Sequence, residues 1–163
     1  MRSEFIVGMA LAFAALTAAD AIAQKKYGSE AGWEILVKDD MGPGCLIKKA
    51  NADGTQIQMG IEAKGKMRGY MAIYTKADAN VTAGKKMAVL FDVDGQKFSG
   101  EAEGQVIGGY RGAYVWVNNH EFIYDLAKKN AVTITPEGGN PIVVKLAGTD
   151  AAFKALKACQ EAQ

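Results

Sequence analysis

Two cysteines, Cys45 and Cys159, and a single histidine, His120, are the side chains best suited to nucleophilic chemistry in this sequence. A thiol and an imidazole make a nucleophile and its base only where the thiolate is stabilised and the ring stands beside it. Neither cysteine lies in a Cys-x-x-Cys redox motif. One histidine excludes a three-histidine zinc site, and thiols joined to each other cannot serve as ligands. Beyond residue 23 the serines are Ser29 and Ser99, neither in a Gly-x-Ser-x-Gly elbow nor in a Ser-x-x-Lys box. The carboxylates open to acid/base work are Glu101, Glu103 and Glu121. A glycosidase pair needs no local motif, only two carboxyls roughly 5–10 Å apart in a pocket. The expectation is a protein with no catalytic residues, no metal and no cofactor, and a carbohydrate-active enzyme using these glutamates is the less favoured alternative.

Binding signals are weaker than chemical ones and have ordinary structural readings. Lys64-Gly65-Lys66-Met67-Arg68-Gly69 is either a small anion cradle or a solvated basic turn, the second being the commoner use of such a string. The glycines Gly104, Gly108, Gly109 and Gly112 lack the Gly-Lys-Ser/Thr that opens a phosphate-loop helix, and predict bulges or a mobile loop. Asp92-x-Asp94-Gly95 resembles part of a calcium loop without its downstream carboxylates, and a tight hairpin explains it better. Tyr110, Tyr114 and Trp116 fall at even spacing, as either a stacking platform or a row of core side chains. A net charge of +1, with basic residues spread along the chain, gives no field for nucleic acid. Tyr110, Arg111, Tyr114, Lys66 and Arg68 are the candidate interaction surface.

The compartment is read from the N-terminus. Residues 5–19 carry no charge, and Phe5 to Leu16 is as long as a signal-peptide core and shorter than the roughly 20 residues a spanning helix needs. Ala21-Ile22-Ala23 places small residues where a signal peptidase reads, predicting cleavage between Ala23 and Gln24. Residues 1–23 are then a signal peptide, and 24–163 one exported domain, periplasmic or secreted, with no membrane span after the signal is removed. An even number of cysteines in an oxidising compartment predicts a Cys45–Cys159 disulfide. Closing so long a loop contributes up to about 4–5 kcal/mol.

The elements that must position these groups are mainly strands. Gln24 to Gly32 reads as a flexible lead-in. Trp33, Ile35 and Val37 alternate, as do Ile57, Met59 and Ile61, and Gly69 to Thr75 is rich in apolar and aromatic residues. Met87 to Glu101 is the clearest hairpin: a turn at Asp94-Gly95 sets Phe91 opposite Phe98 on an inward face and Asp92 opposite Lys97 outside. Asn118-Asn119 precedes a predicted helix from about His120 to Asn130. Runs at Ala131 to Thr135 and Pro141 to Leu146 flank a Gly-Gly turn. Thr149 or Asp150 then caps a last helix on which Ala152, Leu156 and Cys159 share the inner face. The expected fold is an antiparallel β-sandwich or open barrel of about eight strands, with one inserted helix and a C-terminal helix.

The tail Ile142 to Cys159, IVVKLAGTDAAFKALKAC, places a strand, Leu-x-Gly-Thr and an alanine-rich helix ending in cysteine. It resembles small exported proteins of alphaproteobacteria, including the invasion-associated locus B (IalB-like) family, and Trp33 followed by Cys45 and a hairpin is similar in kind. The resemblance implies an all-β sandwich or barrel decorated by helices and no catalytic residue. Together these readings predict a non-catalytic binding protein of the bacterial envelope, its partner an unknown protein or envelope component. An inhibitor of envelope-attacking hydrolases, inserting Tyr110-Arg111 or Lys66–Arg68 into an acidic cleft, is the alternative.

Overall fold

A computed structural model describes residues 24–38, 44–62, 65–76 and 79–163. The expected signal segment through Ala23, the turn at 39–43 and Lys64 lie outside the described residues, while Gln24 is the first residue described.

The strands are β1 (Lys25–Glu30), β2 (Trp33–Lys38), β3 (Gly44–Ala50), β4 (Gln56–Ile61), β5 (Gly69–Thr75), β6 (Lys86–Val93), β7 (Gln96–Ile107), β8 (Tyr110–Val117), β9 (Ala131–Pro136) and β10 (Ile142–Lys145). The helices are α1 (Glu121–Leu126) and α2 (Thr149–Glu161). All ten strands join one antiparallel sheet in the order β1-β2-β3-β4-β5-β8-β7-β6-β9-β10. The mainly β, antiparallel fold with a late inserted helix and a C-terminal helix is therefore present.

Alternation builds an inside and an outside. Ile35 and Val37, Cys45 and Ile47, Ile57, Met59 and Ile61 all feed one buried cluster. Val89, Phe91, Val115, Val132, Ile134 and Val144 join the same cluster from the far half of the sheet. One face of one sheet can supply a single core only by curling or folding round it, as an open barrel or a sandwich does. The edges β1 and β10 do not pair with each other. Instead α2 follows β10 in the chain and packs on β1, β2 and β3, covering the β1 edge. Ala152, Phe153, Leu156 and Cys159 are its buried stripe.

The helices gather at one end. Ile123 of α1 lies against Gly69 at the start of β5, and Tyr124 meets Phe153 of α2 edge-on at 5.9 Å. Cys45 and Cys159 are bonded, with Cα atoms 6.2 Å apart, and both are fully buried. Beside the bridge the Cys45 N–H donates to Gln160 Oε1 at 2.8 Å, so β3 holds the last turn of α2 twice. The Trp33 indole N–H donates to Ala147 O at 3.2 Å from the centre of the core.

Four local expectations are corrected. The lead-in at 25–30 is an edge strand, paired from Lys25 opposite Val37 to Glu30 opposite Trp33. The Asp94-Gly95 hairpin has the expected register, Phe91 opposite Phe98 and Asp92 opposite Lys97. Phe98, however, is 40% exposed, stacked on Phe122 of α1 at 5.2 Å, while Phe91 is buried. Asp92 serves the turn, accepting the Gly95 N–H at 2.9 Å. The first helix stops at Leu126, short of Asn130, while at its start Asn119 Oδ1 accepts the Glu121 N–H at 3.1 Å; the second starts from Gly148 at φ 81°. Thr149 does not cap α2 as expected: its buried hydroxyl faces Ala127 O at 2.8 Å and Leu146 O, tying the end of α1 to the start of α2.

Candidate functional site

The even residues of β8 share the outer face of the barrel with those of β5. Tyr70 pairs with Trp116, Ala72 with Tyr114 and Tyr74 with Gly112. Leu36, Leu46, Tyr70, Ala72 and Tyr74 form a second buried cluster there, with Tyr110, Tyr114 and Trp116 half-buried around it. The aromatic row is thus both things the sequence allowed. Its floor is core, and its three β8 side chains are partly open to solvent.

Small residues make this layer lie flat. A Cβ on Gly112 would strike the Ile73 carbonyl oxygen and stand 2.6 Å from the Tyr74 ring. The glycine-rich stretch that predicted bulges or mobility is instead the end of β7, a turn at Gly108 and Gly109 with positive φ, and the start of β8. The phenols are chained together. Tyr74 donates to Gln105 Oε1 at 2.5 Å, which leaves Tyr70 as the donor in its 3.0 Å bond to the Tyr74 hydroxyl. Tyr70 sits 5.2 Å from the Trp116 ring centre.

Cations lie across the rings. The Arg68 guanidinium is 4.3 Å from the Trp116 ring centre, Lys38 is 5.4 Å from Tyr70, and Lys76 is 5.1 Å from Tyr110. These are cation–π distances. Arg68 also grips Glu62 through two bonds, Nε to Oε2 at 3.1 Å and Nη2 to Oε1 at 2.9 Å. That fork holds the Glu62 carboxyl below its ordinary range and raises the guanidinium. Burial first, and then the Glu103 carboxylate beside it, push the Tyr114 phenol up.

The predicted surface residues do not form one patch. Gly69 pairs with Val117 and Thr75 with Arg111, so Arg68 and Arg111 belong to opposite ends of the β5–β8 ladder, about 20 Å apart at strand rise. Tyr110 and Arg111 also part company, because consecutive strand residues face opposite sides. Tyr110 joins the outer row, whereas Arg111 turns to the inner face at the end away from the helices. Lys66 is exposed in the β4–β5 turn.

Glu101 and Glu103 sit two residues apart on one face of β7, both near Lys86, whereas Glu121 lies apart on α1. Glu101 meets Lys86 at 2.7 Å in the open, and Glu121 on α1 lies 3.1 Å from His120. Glu103 faces Tyr114 across β7 and β8. None of the three lines the apolar cavity at the open end, though Glu121 lines a shallow groove between α1 and α2.

That cavity is what the sequence concealed. The helices fill one end of the barrel, and at the other a space of about 270 Å³ enters between Met71, Ile73, Met87, Val89 and Phe91. Arg111, Thr55 and Thr75 stand on its lining. The segment before β6 borders it: the Gly84 N–H donates to Gly104 O and the Gly104 N–H to Lys85 O, each at 2.8 Å, and Val81 and Ala79 are on its lining. No pattern in the chain marks such a space, since its lining residues alternate like any core strand.

No protein-family model and no curated protein matches the sequence. Among solved structures the fold is similar to the crystal structure of invasion associated protein B from Bartonella henselae, with a TM-score of 0.57 and 13% identity. The alignment covers 85% of this chain and 99% of that one. The fold expected from the tail of the sequence is thereby supported by the shape of nearly the whole chain.

Proposed function

We propose that this chain is a non-catalytic binding protein of the bacterial envelope, periplasmic or secreted, which docks an envelope component or protein on the outer face of β5 and β8. One observation carries the reading: Trp116, Tyr114 and Tyr110 stand half-exposed on a rigid aromatic floor, with Arg68 laid on Trp116. Trp, Tyr and Arg are the residues that dominate measured interfaces, and a hydrogen-bonded floor lowers the entropy lost on docking. The buried disulfide and the likeness of fold to invasion associated protein B both suit a protein outside the cytoplasm.

The test is site-specific photocrosslinking in living cells, with the reactive group at Tyr114 or Trp116 and, as control, at Lys154 on the exposed side of α2. A single adduct formed from the β8 positions and not from Lys154 is expected. Equal adducts from all positions, or substrate turnover abolished by changing one glutamate, would overturn the reading. The β7–β8 tip, where Val106 and Ile107 are 45% and 43% exposed, supports the hydrolase-inhibitor alternative. Titration against lysozyme-type and protease activities decides it.

A further inference from the structure

The barrel's open end has the composition of a ligand site rather than of a packing fault. Its walls are aliphatic, thioether and phenyl groups, and it is reached from solvent on the side opposite the helices. β-barrel mouths are a common place for small apolar ligands, and pockets that hold them are mostly apolar with one or two polar groups fixing orientation. Here the polar group is Arg111. Among the described residues its guanidinium enters no ion pair, although it shares the cavity lining with Thr55 and Thr75. Among the described residues, charged groups near this end include Lys76, which lies over Tyr110, Asp53, which accepts the Thr55 N–H in the β3–β4 turn, and Glu137, next to Pro136 of the lining.

We infer that the cavity takes one unbranched acyl chain whose carboxylate is held by Arg111 at the mouth. A guanidinium matches a carboxylate with two parallel bonds, which makes this head group the natural complement. A volume of about 270 Å³ lies just below the range of roughly 300–1,000 Å³ usual for ligand pockets, so it admits a single medium-length tail and excludes a two-tailed lipid. Val81 and Ala79, carried on the segment crossing at Gly104, form part of the wall the tail would touch. Its walls come mostly from the inner face of the sheet, with Tyr114 of the outer row also on its lining.

Calorimetric titration of the purified protein with hexanoate, octanoate, decanoate and dodecanoate, all below micelle-forming concentrations, tests the assignment. Each methylene buried adds about fourfold in affinity, so binding rises steeply along the series and levels off once the cavity is full. Arg111→Gln weakens dodecanoate roughly tenfold or more and leaves dodecanol unchanged. Ala113→Leu, which fills the space from β8, abolishes binding of both while the protein still melts cooperatively. Loss of cooperative melting in that variant transfers the same arm to Ala102→Val. Absence of saturable one-to-one binding overturns the inference, and so does an affinity that climbs without levelling and ignores both substitutions, the mark of surface adsorption.

Discussion

Reducing the Cys45–Cys159 bridge removes a crosslink between residues 114 apart in sequence. The closed loop spans most of the domain, and chain entropy assigns such a closure about 5 kcal/mol at 25 °C. A domain of this size has a total stability of about 5–15 kcal/mol, so the bridge supplies a third or more of it. Both cysteines are fully buried, so reduction must be carried out in denaturant and followed by refolding under reductant. The packing around the sulfurs is retained in the refolded dithiol, and Gln160 still accepts the Cys45 N–H. The difference between oxidised and reduced forms therefore isolates the crosslink. With a urea slope of about 2 kcal/mol per molar, the midpoint falls by roughly 2–3 M on reduction. The double variant C45A/C159A falls further, because it also empties two buried sites next to Leu156 and Ile61. Equilibrium unfolding followed by tryptophan fluorescence reads both, since Trp33 lies in the core and Trp116 on the outer face. Midpoints agreeing to within a few tenths molar would refute the argument that this bridge acts by restricting the unfolded chain.

Two more substitutions probe the outer face. Gly112→Ala drives a Cβ against the Ile73 carbonyl and the Tyr74 ring, and overpacking of this kind costs about 1–3 kcal/mol; thermal melting should drop by several degrees while Gly109→Ala, strained only by its positive φ with nothing within 4 Å, drops less. Arg68→Ala removes both the stack on Trp116 and the fork on Glu62, for about 1 kcal/mol at neutral pH after allowing for partial exposure. Because Arg68 holds the folded Glu62 carboxyl low, this stabilisation is fully present above the unfolded value of about 4.3 and is lost as pH falls through the lower folded value. The stability difference between wild type and R68A should accordingly narrow on acidification to the part due to the Trp116 stack, as urea midpoints measured from pH 7 down to pH 3 will show.

Strand periodicity made the inner face legible. Ile57, Met59 and Ile61, or Met87, Val89 and Phe91, alternate as a half-buried strand does, and the register of the second set followed from Asp94-Gly95 without further information. The disulfide was legible for a different reason: two cysteines and a leader-like start leave one pairing, and Leu156 four residues from Ala152 fixed which way Cys159 points. What stayed hidden depends on groups far apart in the chain. β1 has no apolar side to read, since its residues are mostly exposed and its place is fixed only by hydrogen bonds to β2. Phe98 shares the inner face with its ladder partner Phe91, but it lies at the end of the sheet, where it meets Phe122 of α1 and stays partly open to solvent.

The candidate site shows the same division more sharply. Sequence adjacency made Tyr110-Arg111 one feature, whereas the pleat assigns its halves to different surfaces. Tyr110 extends an aromatic layer whose deeper members, Tyr70 and Tyr74, come from a strand thirty to forty residues earlier. Arg111 faces a space bounded by β5, β6, β7, β8 and β9 together. A residue's neighbours along a strand are the ones it is least able to act with, because successive side chains leave on opposite sides. The cross-strand partner two positions away is what completes a site, and for both residues that partner is set by the reversed order β5-β8-β7-β6, which no single segment encodes. The same reversal that carries Arg111 to the mouth of the cavity lays Tyr114 beside Tyr70, so the two surfaces share one topological cause while meeting different partners.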